Sequence, residues 1–195
     1  MRDHRRRIAA LLVAVGVSAV LLTGCGTGTA GAASVVGAQR VSDAQLAGAV
    51  AEVRVQTTDG TFAPDKVTAA NLTRMTRELL VGEAADREGV VVTESQIDQL
   101  IKTSGGLESV TAALLKQGDV PAAEVRSYAR TFLQQQALGA KLGAGASDGG
   151  VSAVSDYLAK LSTELDTRVA ARYGSWDAAT QSLGEPPTDL AAPLS

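Results

Sequence analysis

The stretch Ile8–Leu22 carries no charged residue and is preceded by four arginines, Arg2, Arg5, Arg6 and Arg7. An uncharged run of this length falls short of the roughly 20 residues that span a bilayer as a helix. It matches the apolar core of a secretory signal, with the basic segment in front of it. That order keeps the arginines on the cytoplasmic side and sends the following chain out. Whatever folds must therefore be built from what comes after this segment, in an extracytoplasmic setting. That remainder is the size of one ordinary domain.

The apolar run closes in Leu22-Thr23-Gly24-Cys25. This resembles a bacterial lipobox, in which small residues let a peptidase reach the backbone and the cysteine thiol accepts a diacylglycerol. The resemblance implies that Cys25 is a lipid attachment site and that the membrane lipid is reached through an acylated N-terminal cysteine. An ordinary signal peptide with a chance cysteine, or an uncleaved anchor helix, are the alternatives. Two or more acyl chains hold stably, since each buried methylene contributes about 0.8 kcal/mol. Cys25 is the only cysteine, so no internal disulfide can form. Loss of residues 1–24 leaves 14 basic and 20 acidic residues, net −6. That charge, with no basic patch carrying interleaved aromatics, argues against a nucleic-acid partner. The expected division is a signal peptide over 1–24, a lipidated flexible tether over 25–34, a folded domain over 35–177 and a disordered tail over 178–195.

Within the domain, Val35–Val41 reads as a short strand, and Ser42 or Asp43 as the cap of a helix over about 43–55. TTDGTFAPD is rich in turn formers and reads as a loop. A long helix is expected over 66–88, with Leu72, Met75, Leu79 and Leu80 on its apolar side and Gly89 at its C-terminal end. Val90–Val92 form an extended link. Thr93 and Gln96 then have the spacing of a capping box, opening a short helix with Ile97, Leu100 and Ile101 on one face. Another short helix covers 107–117, with Leu107, Val110 and Leu114 aligned and Gly118 stopping it. The cleanest helical pattern runs over 122–142, with Val125, Tyr128, Ala129, Phe132, Leu133, Leu138 and Leu142. GAGASDGG at 143–150 reads as a flexible break, followed by a helix bearing Val154, Tyr157, Leu158, Leu161 and Leu165. Asp166–Tyr173 reads as a strand and RYGSWD as its terminating turn. The two strands, one near each end, can pair and tie the domain's ends together. The fold class is thus mainly α with a minor two-stranded sheet.

Chemistry is sparsely supplied. His4, the single histidine, lies in the signal, so the mature chain lacks the side chains of His-based triads and of the usual zinc sites. Gly26, Gly28 and Gly31 have the spacing of a dinucleotide fingerprint but lack the strand before and helix after that it requires. They read as linker. Glu83, Asp86 and Glu88 cluster on the long helix beside Arg77 and Arg87, the composition of a solvated face rather than a catalytic pair. Asp148 reads as a linker residue. No metal, cofactor or catalytic residue is expected. Met75, Leu79, Tyr128 and Phe132 are the candidate groove residues. They sit on apolar helical stripes that either fill the core or in part line an open binding groove.

The order of elements, together with VVGAQRVS before the first helix, LLVGEAADREGVVVTESQID in the middle and RYGSWD at the end, resembles the N-terminal chaperone domain of the SurA-like family, which includes PrsA-type foldases. The resemblance covers roughly residues 35–177. It implies a SurA-like helical fold and binding of unfolded or partly folded exported polypeptides. Foldase members carry a parvulin prolyl-isomerase domain where this chain has only GAGASDGG, so isomerase activity is not expected. Two other readings stand beside this one. The first is a structural or adaptor lipoprotein with one dedicated partner in the cell envelope. The second is a cell-wall enzyme, for which Trp176 and three tyrosines are a thin supply of sugar-stacking rings.

Overall fold

Helix starts and stops here follow local hydrogen bonding. In the computed structural model, which describes residues 31–184 except 59 and 145–147, helix α1 (Asp43–Gln56) begins at Ser42. The Ser42 hydroxyl accepts from the Gln45 N–H at 3.2 Å, and the Gln45 side chain accepts from the Ser42 N–H at 2.8 Å. This satisfies two of the orphan donors of a first turn. Helix α2 (Pro64–Arg87) starts two residues earlier than expected because Pro64 occupies its first turn, where the missing N–H costs nothing. It ends with Gly89 at φ +64, while the Val90 N–H reaches back to Ala85 O at 2.8 Å. The Thr93–Gln96 capping box is formed and opens α3 (Glu94–Thr103). Helix α4 (Leu107–Gly118) buries none of its residues fully, and Leu107 is 55% exposed. A single 3-10 turn, Ala122–Glu124, leads into α5 (Val125–Leu142), and α6 (Val151–Glu164) follows.

The fold is mainly helical, with a small antiparallel sheet that joins its two ends. The sheet has one strand more than the expected two. The segment Val35–Val41 is a hairpin, β1 (Ala32–Val36) and β2 (Gln39–Ser42), turning at Gly37-Ala38. Gly37 has φ +56 and its N–H donates to Leu165 O at 3.0 Å, so a tight turn and a close approach both fall on one glycine. β1 is central: Val35 lies opposite Arg40 on one side and opposite Arg168 of β3 (Arg168–Val169) on the other. The return strand is far shorter than Asp166–Tyr173, since the chain leaves the sheet at Ala170 and coils into a 3-10 turn over Ala171–Tyr173. Order also continues past residue 177. β4 (Trp176–Asp177) and β5 (Ser182–Leu183) make a second hairpin, whose second strand lies inside the segment expected to be tail. The described chain likewise begins with β1 inside the expected tether.

One apolar cluster joins Val36, Leu80, Val81, Ala84, Leu138, Leu158 and Leu161, and a second joins Ala33, Val41, Leu46, Ala49, Leu72 and Met75. Helix α2 contributes to both. Two buried hydroxyls, Ser34 of β1 and Thr76 of α2, lie 2.8 Å apart, and Thr76 also donates to Leu72 O at 2.7 Å. Polar groups buried at this junction are thereby satisfied. α3 docks on α5 through Ile97, Ile101 and Ala129. The segment 143–150 is not a simple linker at its two ends. A side chain on Gly139 would stand 2.8 Å from Gly149 O, and Gly143 and Gly150 face each other as closely. Glycine lets α5 and α6 meet backbone to backbone here.

Candidate functional site: a groove beside helices α2 and α5

Tyr128 and Phe132 are one helical turn apart on α5, and neither is absorbed by the core. They are 37% and 41% exposed, among the few large apolar side chains left open. Both line a cavity of about 570 Å3 bounded by α2, α5, the end of α4 and strand β5. Leu114, Val120 and Leu183 supply further apolar wall, while Thr73, Gln117, Thr131 and Gln135 give neutral polar groups. A second cavity of about 340 Å3 shares Arg77, Phe132 and Gln135 with the first and continues to Gly149, Val154 and Gln181. The two form one groove along α5, from the α4 end toward α6.

The four candidate groove residues do not act together. Tyr128 and Phe132 line this groove; Met75 and Leu79 do not. Met75 is 8% exposed and packs with Leu46 and Leu72, and Leu79 bridges the two main apolar clusters. Both also border a smaller cavity of about 320 Å3 near Val41 and Ser127. Met75 therefore belongs to the core. Its position on the α2 stripe faces the sheet, whereas Tyr128 lines the open cavity beside the end of α4.

Between these two sides runs a polar seam. Asn71, fully buried, donates to Val67 O at 3.0 Å and to Asp119 O at 3.1 Å, fastening α2 to the turn after α4. Arg74 donates to Asn71 Oδ1 at 2.9 Å and pairs with Glu78 at 2.7 Å. The Ser127 hydroxyl donates to Glu78 at 3.1 Å from α5. Burial pushes the Glu78 carboxyl above the ordinary glutamate range, while Arg74 and Ser127 pull it back. The seam is a hydrogen-bonded plate between helices, each member holding another. Asn, Arg and Glu at 71, 74 and 78, spaced for one face of a helix, are the only trace it leaves in the sequence.

Several other carboxylates are engaged structurally, whereas Asp86 has no side-chain partner among the described residues. Glu83 pairs with Arg87 at 3.0 Å, Arg87 with Glu164 at 2.8 Å, and Glu88 with Lys141 at 3.2 Å. Asp148 accepts from the Gly150 N–H at 3.0 Å and the Ser152 N–H at 2.9 Å at the start of α6, and the Ser152 hydroxyl leads the contacts that hold its carboxyl below the usual range. Trp176 donates its indole N–H to Ser162 Oγ at 2.8 Å and packs on the main cluster. Tyr173 donates to Asp43 at 3.1 Å. These rings are spoken for by the fold. Gly31 is followed by strand β1 rather than a helix, contrary to what a dinucleotide fingerprint needs. Among the described residues, no group of three or more His, Cys, Asp or Glu is placed to hold a metal, and no helix is long and apolar enough to cross a membrane. Cys25 and the segment Ile8–Leu22 lie outside the described residues. No family model matches this chain, and neither a curated protein nor a solved structure matches it.

Proposed function

We propose that this chain is an extracytoplasmic lipoprotein, anchored at Cys25 to the outer face of the cytoplasmic membrane, that holds unfolded or partly folded exported polypeptides in the groove beside α2 and α5. The observation that carries the reading is the pair Tyr128 and Phe132, open to solvent on the wall of a groove lined mainly by apolar and neutral polar groups, with Arg74, Arg77 and Glu78 along its α2 side. Exposed apolar surface of this kind marks a contact site. Neutral amides around it can meet the backbone of an extended chain without demanding one sequence. The SurA-like resemblance of residues 35–177 supports the same role. Holding needs no reacting group, and the short 143–150 connection between α5 and α6 leaves no room for an inserted isomerase domain.

The test is suppression of aggregation. A form beginning at Gly26 is added to denatured exported proteins as they are diluted into buffer, and light scattering is followed. Suppression near one-to-one, across several clients, is the expected result, and Y128S/F132S should lose most of it. No suppression with any client sinks the holding role. Tight capture of a single envelope protein, with no effect on the others, would instead identify an adaptor.

A further inference from the structure

Strand β5 does not merely close the second hairpin. Gln181, just before it, lies on the α6 end of the groove, whereas Ser182 and Leu183 lie on the wall of the larger cavity with Tyr128 and Phe132. Strand β5 therefore passes along the groove wall, from the cavity beside α6 to the cavity beside α4. The Gly184 N–H donates to Ser175 O at 2.8 Å, which pins the point of departure. From here the chain continues as Glu185-Pro-Pro-Thr-Asp-Leu-Ala-Ala-Pro-Leu-Ser195.

Three properties of that segment fit the groove. Pro186, Pro187 and Pro193 each fix φ near −65°, favouring an extended chain and lowering the entropy lost on docking. Its reach, at about 3.1 Å per residue in a polyproline-type chain, is about 34 Å. The part of α5 that lines the groove, Tyr128 to Gly139, is about 17 Å long at 1.5 Å per residue. The segment is thus long enough to fill it. Its charge is complementary as well: Glu185 and Asp189 are its only charged side chains. Arg77 stands where the two cavities meet, exposed, and its guanidinium makes no hydrogen bond or ion pair among the described residues. Its neighbour Arg74, by contrast, is held by Glu78. Leu190 and Leu194 are the apolar groups available to cover Tyr128 and Phe132.

We infer that the chain's own segment 185–195 occupies the groove, with an acidic side chain on Arg77 and leucine against Tyr128 and Phe132, so that an incoming polypeptide must displace it. Tethering at the rim gives the segment an effective concentration of the order of millimolar, so weak contacts suffice. The displacement clause rests on the holding role proposed above; the docking itself does not.

The docking is tested in the full-length chain made in bacterial cells, with p-benzoylphenylalanine replacing Leu190. After irradiation, the purified monomer is digested and its crosslinked peptides are identified by mass spectrometry. Crosslinks should fall within Ser127–Lys141 or Ala69–Arg77. R77E should lower their yield several-fold, and adding E185R and D189R should bring it back. Crosslinks elsewhere on the chain, adducts between two copies or to another protein in place of the internal one, or a yield indifferent to R77E would each overturn the inference. Displacement is read separately with fluorescein-labelled, reduced and carboxymethylated α-lactalbumin, a permanently unfolded probe. L190S/L194S in the full chain should bind it at least threefold more tightly; unchanged affinity overturns the displacement clause. Crosslinking needs no client, so failure of docking and failure of holding give different results.

Discussion

Glu78 shows how one side chain can tie packing to pH. Its carboxylate is held by Arg74 within α2 and by Ser127 from α5, yet burial keeps its proton affinity above that of a free glutamate. A glutamate with a raised folded pKa binds its proton more readily in the native than in the unfolded state. Its contribution is therefore fully present below the unfolded value of about 4.5 and is lost as pH rises through the folded value. Wild type should gain stability relative to E78Q as pH falls from 7 towards 4.5, measured by urea unfolding at several pH values. A constant difference would mean that Glu78 is not desolvated as described. Glu94 behaves in the opposite sense. Hydrogen bonds from Arg126 and then Arg130 hold it below the usual range, so its contribution is present above about 4.5 and is lost as pH falls through its folded value. It is fully exposed, and salt will screen it.

Helix α3 depends on few contacts. Ile97 and Ile101 are its buried residues, set against Ala129 of α5, and the surface pair of Arg126 with Asp98 at 2.7 Å adds orientation more than energy. Ile97→Ala should cost about 3 kcal/mol, read as a shift in the urea midpoint. Protection of α3 amides in hydrogen exchange should fall more than that of α2. Equal loss in both helices would mean that α3 is part of the central cooperative unit. Such helices were legible in the chain because caps and apolar spacing are local properties: Thr93 with Gln96, Gly89 and the stripe of α5 fall where their own neighbours put them. The sheet was harder to read. Seven residues from Val35 to Val41 look like one strand unless Gly37 is recognised as a hairpin turn, and β3 is two residues long because its pairing with β1, not its own pattern, ends it. The groove was half legible. Periodicity marks Tyr128 and Met75 alike as apolar, but the packing of α1 and the sheet buries Met75, while nothing among the described residues packs over Tyr128, which stays open on the cavity wall. Within the seam, the Asn71–Arg74 and Arg74–Glu78 pairs have helical spacing, but the links to Asp119 and Ser127 cross the chain and spacing does not encode them.

At the scale of the whole molecule, the two ends of the domain are fastened together. β1 pairs with β3, Ala170 N–H donates to Ala33 O at 2.9 Å, and Tyr173 reaches Asp43 at the start of α1. Trp176 then anchors the second hairpin on Ser162 of α6. The single tryptophan should therefore report the unfolding of the entire domain. Its fluorescence and the far-ultraviolet circular dichroism should follow one coincident urea transition. An earlier fluorescence change would show that the second hairpin is a separate, weaker unit. The central place of β1 has a mechanical meaning too. Tension arriving along the segment before Ala32, as the proposed membrane anchor would deliver it, enters a strand gripped on both edges. Pulling β1 out lengthwise loads both ladders at once, in shear, rather than peeling one hydrogen bond after another. The domain should resist being dragged by its leash better than its small sheet suggests.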